Sequence, residues 1–272
     1  MRRRVAVVSG TVLMYEPGQG KGWFNDLAKK SMGIFDYAGE DKVARHLCDP
    51  WCVRYKSPFD SNRQVRVELP SKSFPEPVSL GPDDEDEGPW RAWLEAVGAD
   101  VTGLLRQEGV ERILVLLGAY KDINGLAEIM RQTGEFGPGE LLYASPNKSA
   151  QNLVAQFDKG VIIGSRQFWT GVDIPDLDYV VVAKLPYPPL GDPKWKQVDF
   201  KTGRKKDLRA PYLWQTVLTF RQGCGRLIRS TESVGTIRIL DRRIYNKRNS
   251  LGITHKAWQS WAKGNTAWNW HI

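Results

Sequence analysis

The sequence predicts an α/β fold: a mostly parallel sheet with helices on both faces. Two observations predict it. Short apolar runs rich in Val, Ile and Leu alternate with stretches of helical spacing, and those runs lack the strict alternation of a half-exposed strand. The 272 residues, 41% of them hydrophobic, suffice for the core of one large domain or two small ones.

In chain order, "RVAVVSG" reads as a buried strand ending in a small polar turn, and "GWFNDLAKKSMG" has helical spacing. "WCVRYKSPFD" and "RQVRVELP" read as extended, and "SKSFPEPVSLGPDDEDEGP" as a proline- and acid-rich loop. The pattern then becomes regular: helix "WRAWLEAVGADVTGLLRQEG", strand "RILVLLG", helix "YKDINGLAEIMRQTG", strand "ELLYAS", helix "KSAQNLVAQFD" and strand "GVIIGS". Strand "DYVVVAKLP", a basic insertion, helix "RAPYLWQTVLTFRQGCGRLIR" and strand "GTIRILD" complete it. Three segments follow: an entry segment over 1–89, an α/β domain over 90–248 with its basic insertion at 191–209, and a Trp-rich tail over 249–272. In parallel sheets ligands gather at the carboxyl ends of the strands. That marks Ser9, Gly118, Ser145, Ser165 and Asp241 with their neighbours.

The net charge is +8, and residues 191–248 hold fifteen Lys/Arg against five acids. Such an imbalance suits a surface that meets polyphosphate, or a plainly solvated basic face. Three cysteines cannot build a disulfide scaffold and suit a reducing cytoplasm. Cys48 and Cys52 lack a second ligand pair, so no metal site is expected. No long apolar segment predicts a membrane anchor.

Two motifs are lures. "YEPGQGKGW" has Tyr15 and Gly22 where a phosphate-binding P-loop needs glycine and Ser/Thr. The acidic run "DDEDE" sits in a proline-flanked loop, not at the end of an apolar strand. The informative segments are "VIIGSRQFWTGVDIPDLDYVVVAKLPYPP" and "TFRQGCGRLIRS". In the first, Gly171 permits a turn or a close approach, and Asp173 can accept hydrogen bonds from arginine or a ribose hydroxyl. In the second, Arg226 and Arg229 are three residues apart, which on a helix puts two guanidiniums on one face. Two such cations suit the oxygens of a triphosphate. Gly223 and Gly225 keep the adjoining turn bare.

Together these segments resemble motifs V and VI of superfamily 2 helicases of the DinG/XPD type, over about residues 5–247. "VVSGTVL" is similar to motif III and "YKSPFD" to the Ser-Pro-Phe element after it. The resemblance implies a second RecA-like domain of the P-loop NTPase type, itself without a P-loop. It implies that Arg226 and Arg229 contact the γ-phosphate of ATP held, with Mg2+, by a first RecA-like domain, and that Gln222 positions the nucleotide or attacking water. Gly171 and Asp173, with Gly223 and Gly225, would couple nucleotide state to the track. Ser145, Ser165, Arg166 and Trp169 would touch single-stranded DNA, RNA remaining open, with Trp169 as stacking platform or core residue. Lys194, Lys196, Arg204, Lys205 and Lys206 would add electrostatic affinity.

The sequence departs from the family pattern at Thr170, usually an acid, and Asp176, usually glycine. The P-loop, the acidic magnesium box and the cysteines of an iron–sulfur cluster are not in it. The chain is therefore expected to belong to an ATP-dependent DNA helicase of 5′→3′ polarity, yet to be inactive alone. The weak cysteine content suits the DinG-like proteins of type IV CRISPR systems, with a CRISPR ribonucleoprotein as a candidate partner, and plasmid, phage and chromosomal-repair relatives are not separable from them in the sequence. A silent module that only holds single strands is the alternative. A dehydrogenase would need a glycine-rich turn that "SGTVLMYEPGQG" does not supply.

Overall fold

The computed structural model describes residues 61–80, 86–189, 215–216, 219–220, 222–245 and 269–271. The motif III-like strand, the Ser-Pro-Phe element, Ser9, Cys48 and Cys52 lie outside them. So do Asp83–Glu85 of the acidic run, Trp258, Trp261 and Trp268, and the insertion with Lys194, Lys196, Arg204, Lys205 and Lys206.

The elements run α1 (Ser61–Gln64), β1 (Val65–Glu68), α2 (Gly88–Leu105), β2 (Arg112–Leu116), α3 (Tyr120–Gln132), β3 (Leu141–Tyr143), α4 (Ala150–Ala155) and β4 (Gly160–Gly164). Then come α5 (Arg166–Trp169), β5 (Tyr179–Val182), helical residues within 215–224, β6 (Gly235–Ile239), a 3-10 turn (Arg242–Tyr245) and β7 (Asn269–His271). The seven strands order as β3-β4-β2-β5-β6-β1-β7, and every adjacent pair is parallel. The path runs one way along the sheet from β1 through β2 to β3, then back through β4, β5 and β6. Right-handed crossovers therefore put α2 and α3 on one face and α4 and α5 on the other.

Each central element follows from its residues. In α2 the buried set Trp90, Trp93, Leu94, Val97, Val101 and Leu104 repeats at helical spacing, and Pro89 suits the first turn, where its missing N–H has no partner to lose. α3 buries Ile123, Leu126, Ala127 and Met130. Gly125 admits the Trp90 ring, since a Cβ there would lie 2.6 Å from Cη2. Ile113–Leu117, Val161–Ile163 and Val180–Ala183 form the solvent-free middle of the sheet.

The strand in "RQVRVELP", read as part of an entry segment, lies inside the sheet as β1 between β6 and β7, because its buried Val65 and Val67 belong to the same core. Residues 269–271 of the tail extend that sheet at its edge.

Part of the carboxyl edge is occupied by the chain itself. Residues 70–78 are tied across the ends of β5 and β6. Tyr245 donates to the Pro70 carbonyl at 2.6 Å, Arg242 to the Lys72 carbonyl at 2.9 Å, and Lys184 to the Val78 carbonyl at 3.2 Å. Beneath them Lys184 pairs with buried Asp122 at 2.9 Å, whose other oxygen accepts from Trp90 Nε1. Asp241, fully buried after β6, accepts from the Leu185 amide at 2.7 Å and from Arg243. A buried carboxylate so satisfied locks two strand ends together. The ends of β2, β3 and β4 carry exposed Gly118, half-buried Ser145 and exposed Arg166 instead.

Candidate functional site: the paired loops 165–178 and 222–235

Two segments without regular structure over most of their length lie side by side, and arginines join them. The first leaves β4 at Ser165, makes the single turn α5, and reaches β5 after Asp178, whose carboxylate accepts from the Glu111 and Arg112 amides at 2.8 and 2.9 Å. Its start is fixed by packing. Phe168 seats against Gly164, where a Cβ would meet the Phe168 Cβ at 2.4 Å. Trp169 is 1% exposed and donates from Nε1 to the Leu117 carbonyl at 3.0 Å.

Gly171 has φ +88 with open space around its Cβ position, so it serves the turn and not a close approach. Asp176 has φ 51, the left-handed conformation that a glycine adopts freely. Aspartate tolerates that region better than most residues. The departure from the family pattern at this position therefore keeps the turn that glycine would make. Thr170 is exposed and extended.

The second segment departs from expectation. Helical geometry ends at Cys224, Gly225 and Arg226 form a turn, and Arg229 lies beyond it, so the two arginines do not share a helix face. Two glycines in three residues weaken the helix, and Arg226 gains partners off it. Its Nη1 donates to the Val172 carbonyl and its Nη2 reaches the Trp169 carbonyl at 3.4 Å, while its Nε is buried without a partner among the described residues. Burial, and secondarily the Arg229 cation, pull the Arg226 guanidinium below its ordinary pKa, with Asp173 opposing. Arg229 instead points outward: its Nε meets Asp173 Oδ1 at 2.9 Å, with side chains 35% and 78% exposed.

Of the residues marked in the sequence, Gly171, Asp173, Arg226 and Arg229 come together here, and Gln222 sits half-buried on the last helical turn. Gly223 does not bare a surface. A Cβ on it would lie 2.4 Å from Trp169 Cε3 and 2.9 Å from Leu116 Cδ1, so its bareness admits the indole. Gly225 is the exposed one. Cys224 between them is buried, which pushes its thiol pKa far up.

Ser145, Ser165 and Arg166 stand at the carboxyl edge, Ser165 buried and Arg166 exposed. Trp169 is a core residue, and the stacking reading is corrected: its indole fills the space under Gly223 and has no open face to offer a base. The sequence reading missed Tyr143, half-buried at the end of β3, with Arg131 at 4.5 Å and Lys148 at 5.1 Å from its ring centre. An aromatic ending a strand beside "SPNK" was the available signal. Among the described residues no group of three or more His, Cys, Asp or Glu could hold a metal ion, and no helix is long and apolar enough to cross a membrane.

The family model described as "Helicase C-terminal domain" matches residues 104–260, more than half of the chain. The chain is 29% identical over 206 residues to "3'-5' exonuclease DinG" of Bacillus subtilis (strain 168), covering 72% of this chain and 21% of that protein. It is 28% identical over 224 residues to "Probable ATP-dependent helicase YpvA" of the same organism, covering 79% and 30%. It thus spans about a fifth to a third of the length of these relatives. Among solved structures, one titled "XPD_Helicase" superposes with a TM-score of 0.50 at 16% identity, covering 76% of this chain and 35% of that one, which shows the shared RecA-like fold. The chain belongs to the helicase C-terminal domain family and has a RecA-like fold.

Proposed function

We propose that this chain is the second RecA-like half of an ATP-driven DNA helicase of the DinG type, working 5′→3′ on single-stranded DNA. The observation that carries the reading is the outward-facing Arg229, held against Asp173 while Arg226 is anchored on the carbonyls beneath. An exposed ion pair of this kind contributes little to stability, so it exchanges readily for a better anion. A triphosphate terminus is one, with several oxygens for the guanidinium fork. In this reading a first RecA-like domain holds ATP. Arg229 leaves Asp173 for the γ-phosphate and stabilises charge that develops on it, and Gln222 orients the reacting groups. Arg226 keeps the two loops in register, so that movement of Arg229 is felt at Gly171 and the turn after it. In this reading the magnesium ion belongs with the ATP on the first domain.

The strand would cross the carboxyl edge where β2, β3 and β4 end, along Ser145 and Arg166. There Tyr143 offers an aromatic ring, and Arg131 and Lys148 offer charge to phosphates. The lysines and arginines of the 191–209 insertion add to that field. Binding of a labelled oligothymidine to the purified chain, measured over a salt series, tests this. The expected slope of log K against log[salt] is about −0.7 per phosphate contacted. Arg166→Ala and Lys148→Ala together should lower it by about two contacts' worth. Binding that ignores salt contradicts the assignment.

A further inference from the structure

Gln64 closes α1, far in sequence from both loops, and lies at the opposite, amino-terminal edge of the sheet. It is 6% exposed. Its Nε2 sits 2.8 Å from the Ser230 carbonyl oxygen, 3.1 Å from that of Thr231 and 2.8 Å from that of Ser233. Three acceptors converging on one nitrogen fix the orientation of the amide, because only its NH₂ end can face them. The two hydrogens serve three oxygens, so at least one is shared.

The residues so held begin immediately after Arg229. They also close on themselves: the Ser230 and Ser233 hydroxyls are 2.8 Å apart, the Ser233 amide donates to Ser230 Oγ at 3.0 Å, and the Ser230 amide donates to Ser233 Oγ at 3.2 Å. The result is a compact loop whose carbonyls point one way, onto the Gln64 amide. Two residues further on, Gly235 enters β6 through a gap where a Cβ would lie 2.6 Å from Leu227 Cδ1 and 2.8 Å from the Asp178 carbonyl oxygen. Arg229 is therefore suspended between two fixed points. Upstream, Arg226 is bonded to Val172 and Trp169; downstream, the loop is bonded to Gln64.

We propose that Gln64 is a positioning residue for Arg229, setting through the 230–233 loop where the exposed guanidinium stands relative to Asp173 and to an incoming phosphate. This rests on the reading of Arg229 given above. Without the amide, three carbonyl oxygens lose their common donor. The loop is then fastened only by its own two serines, and Arg229 loses one of its two supports. An error of about 1 Å at a group that must meet a transferring phosphoryl is enough to cost on the order of a hundredfold in rate.

Two measurements on Gln64→Ala and Gln64→Glu test the proposal. The first is amide hydrogen exchange of the purified chain. In Gln64→Ala the amides of Ser230, Glu232 and Ser233 are expected to exchange about tenfold or more faster, with those of β2 and β4 unchanged. Gln64→Glu keeps the shape but turns a carboxylate onto three carbonyl oxygens. It should open the loop at alkaline pH and regain protection, relative to the parent at the same pH, as acidification restores a donating O–H. A residue that merely fills space would not produce that pH dependence.

The second is ATP hydrolysis in a protein carrying both motor halves. There Gln64→Ala should lower kcat by about tenfold or more, with KM for ATP nearly kept. Unchanged loop exchange in both variants overturns the proposal. So does full hydrolysis in Gln64→Ala beside a dead Arg229→Ala, which leaves the functional reading standing. Full hydrolysis in Arg229→Ala removes the functional reading itself, and with it the purpose assigned to Gln64. Should Gln64→Ala not fold, the isosteric Gln64→Glu carries both comparisons.

Discussion

Replacing Arg229 with alanine, in a protein that carries both motor halves, is expected to lower ATP hydrolysis by about 10³- to 10⁵-fold and to leave the thermal unfolding midpoint where it was. The two halves of that result have separate causes. Arg229 is partly exposed and its partner Asp173 more so, and a surface pair of this kind adds little to the folded state. Its effect on rate comes from charge that develops only as the phosphoryl group transfers, where a fixed guanidinium is far more effective than water. Arg226→Ala should behave differently. It removes the donors to the Val172 and Trp169 carbonyls, so it loosens the loop pair and lowers stability as well as rate. Steady-state hydrolysis with parallel thermal melts separates the two arginines. A silent binding module would tolerate Arg229→Ala without loss, so the same experiment decides against that alternative or for it.

The second large effect is on stability. Trp169→Ala is expected to cost about 3–5 kcal/mol, the range for truncating a large buried aromatic. The indole is buried, its Nε1 donates to the Leu117 carbonyl, and its ring fills the space that Gly223 leaves bare. Removing it opens a cavity between the two loops and strands a buried carbonyl, each of which destabilises. Urea unfolding of the purified chain measures it, provided both proteins show the same m-value. A loss under 1 kcal/mol, with weakened oligonucleotide binding, would restore the stacking role that its burial argues against.

How much of this was written legibly in the chain depends on the range of the interaction. The central strands were readable because runs such as "RILVLLG" and "DYVVVAKLP" can be satisfied only by burial on both faces. The helix of α2 was readable because Trp90, Trp93, Leu94 and Val97 repeat at helical spacing. Gly171 and the Arg226/Arg229 pair stood out because glycine and arginine are informative wherever a turn or an anion is at stake. Helical spacing nevertheless misplaced the arginines. The helix stops at Cys224 because the Arg226 guanidinium finds carbonyls on a loop more than fifty residues earlier, which no local pattern reports. Trp169 was ambiguous for the same reason: its neighbours Gly223 and Leu117 are each remote in sequence. Gln64 carried no signal at all, since a glutamine ending a four-residue helix is ordinary until the Ser230–Ser233 carbonyls are seen around it.

The most direct test of the central claim is ATP hydrolysis by the purified 272-residue chain with single-stranded DNA, first alone and then with a first RecA-like domain of the same type supplied separately. The account predicts no turnover by the chain alone, and turnover that appears on addition of the first domain and disappears again with Arg229→Ala. Robust hydrolysis by the chain alone would contradict it, because the nucleotide would then be held and cleaved by residues to which no such role is assigned.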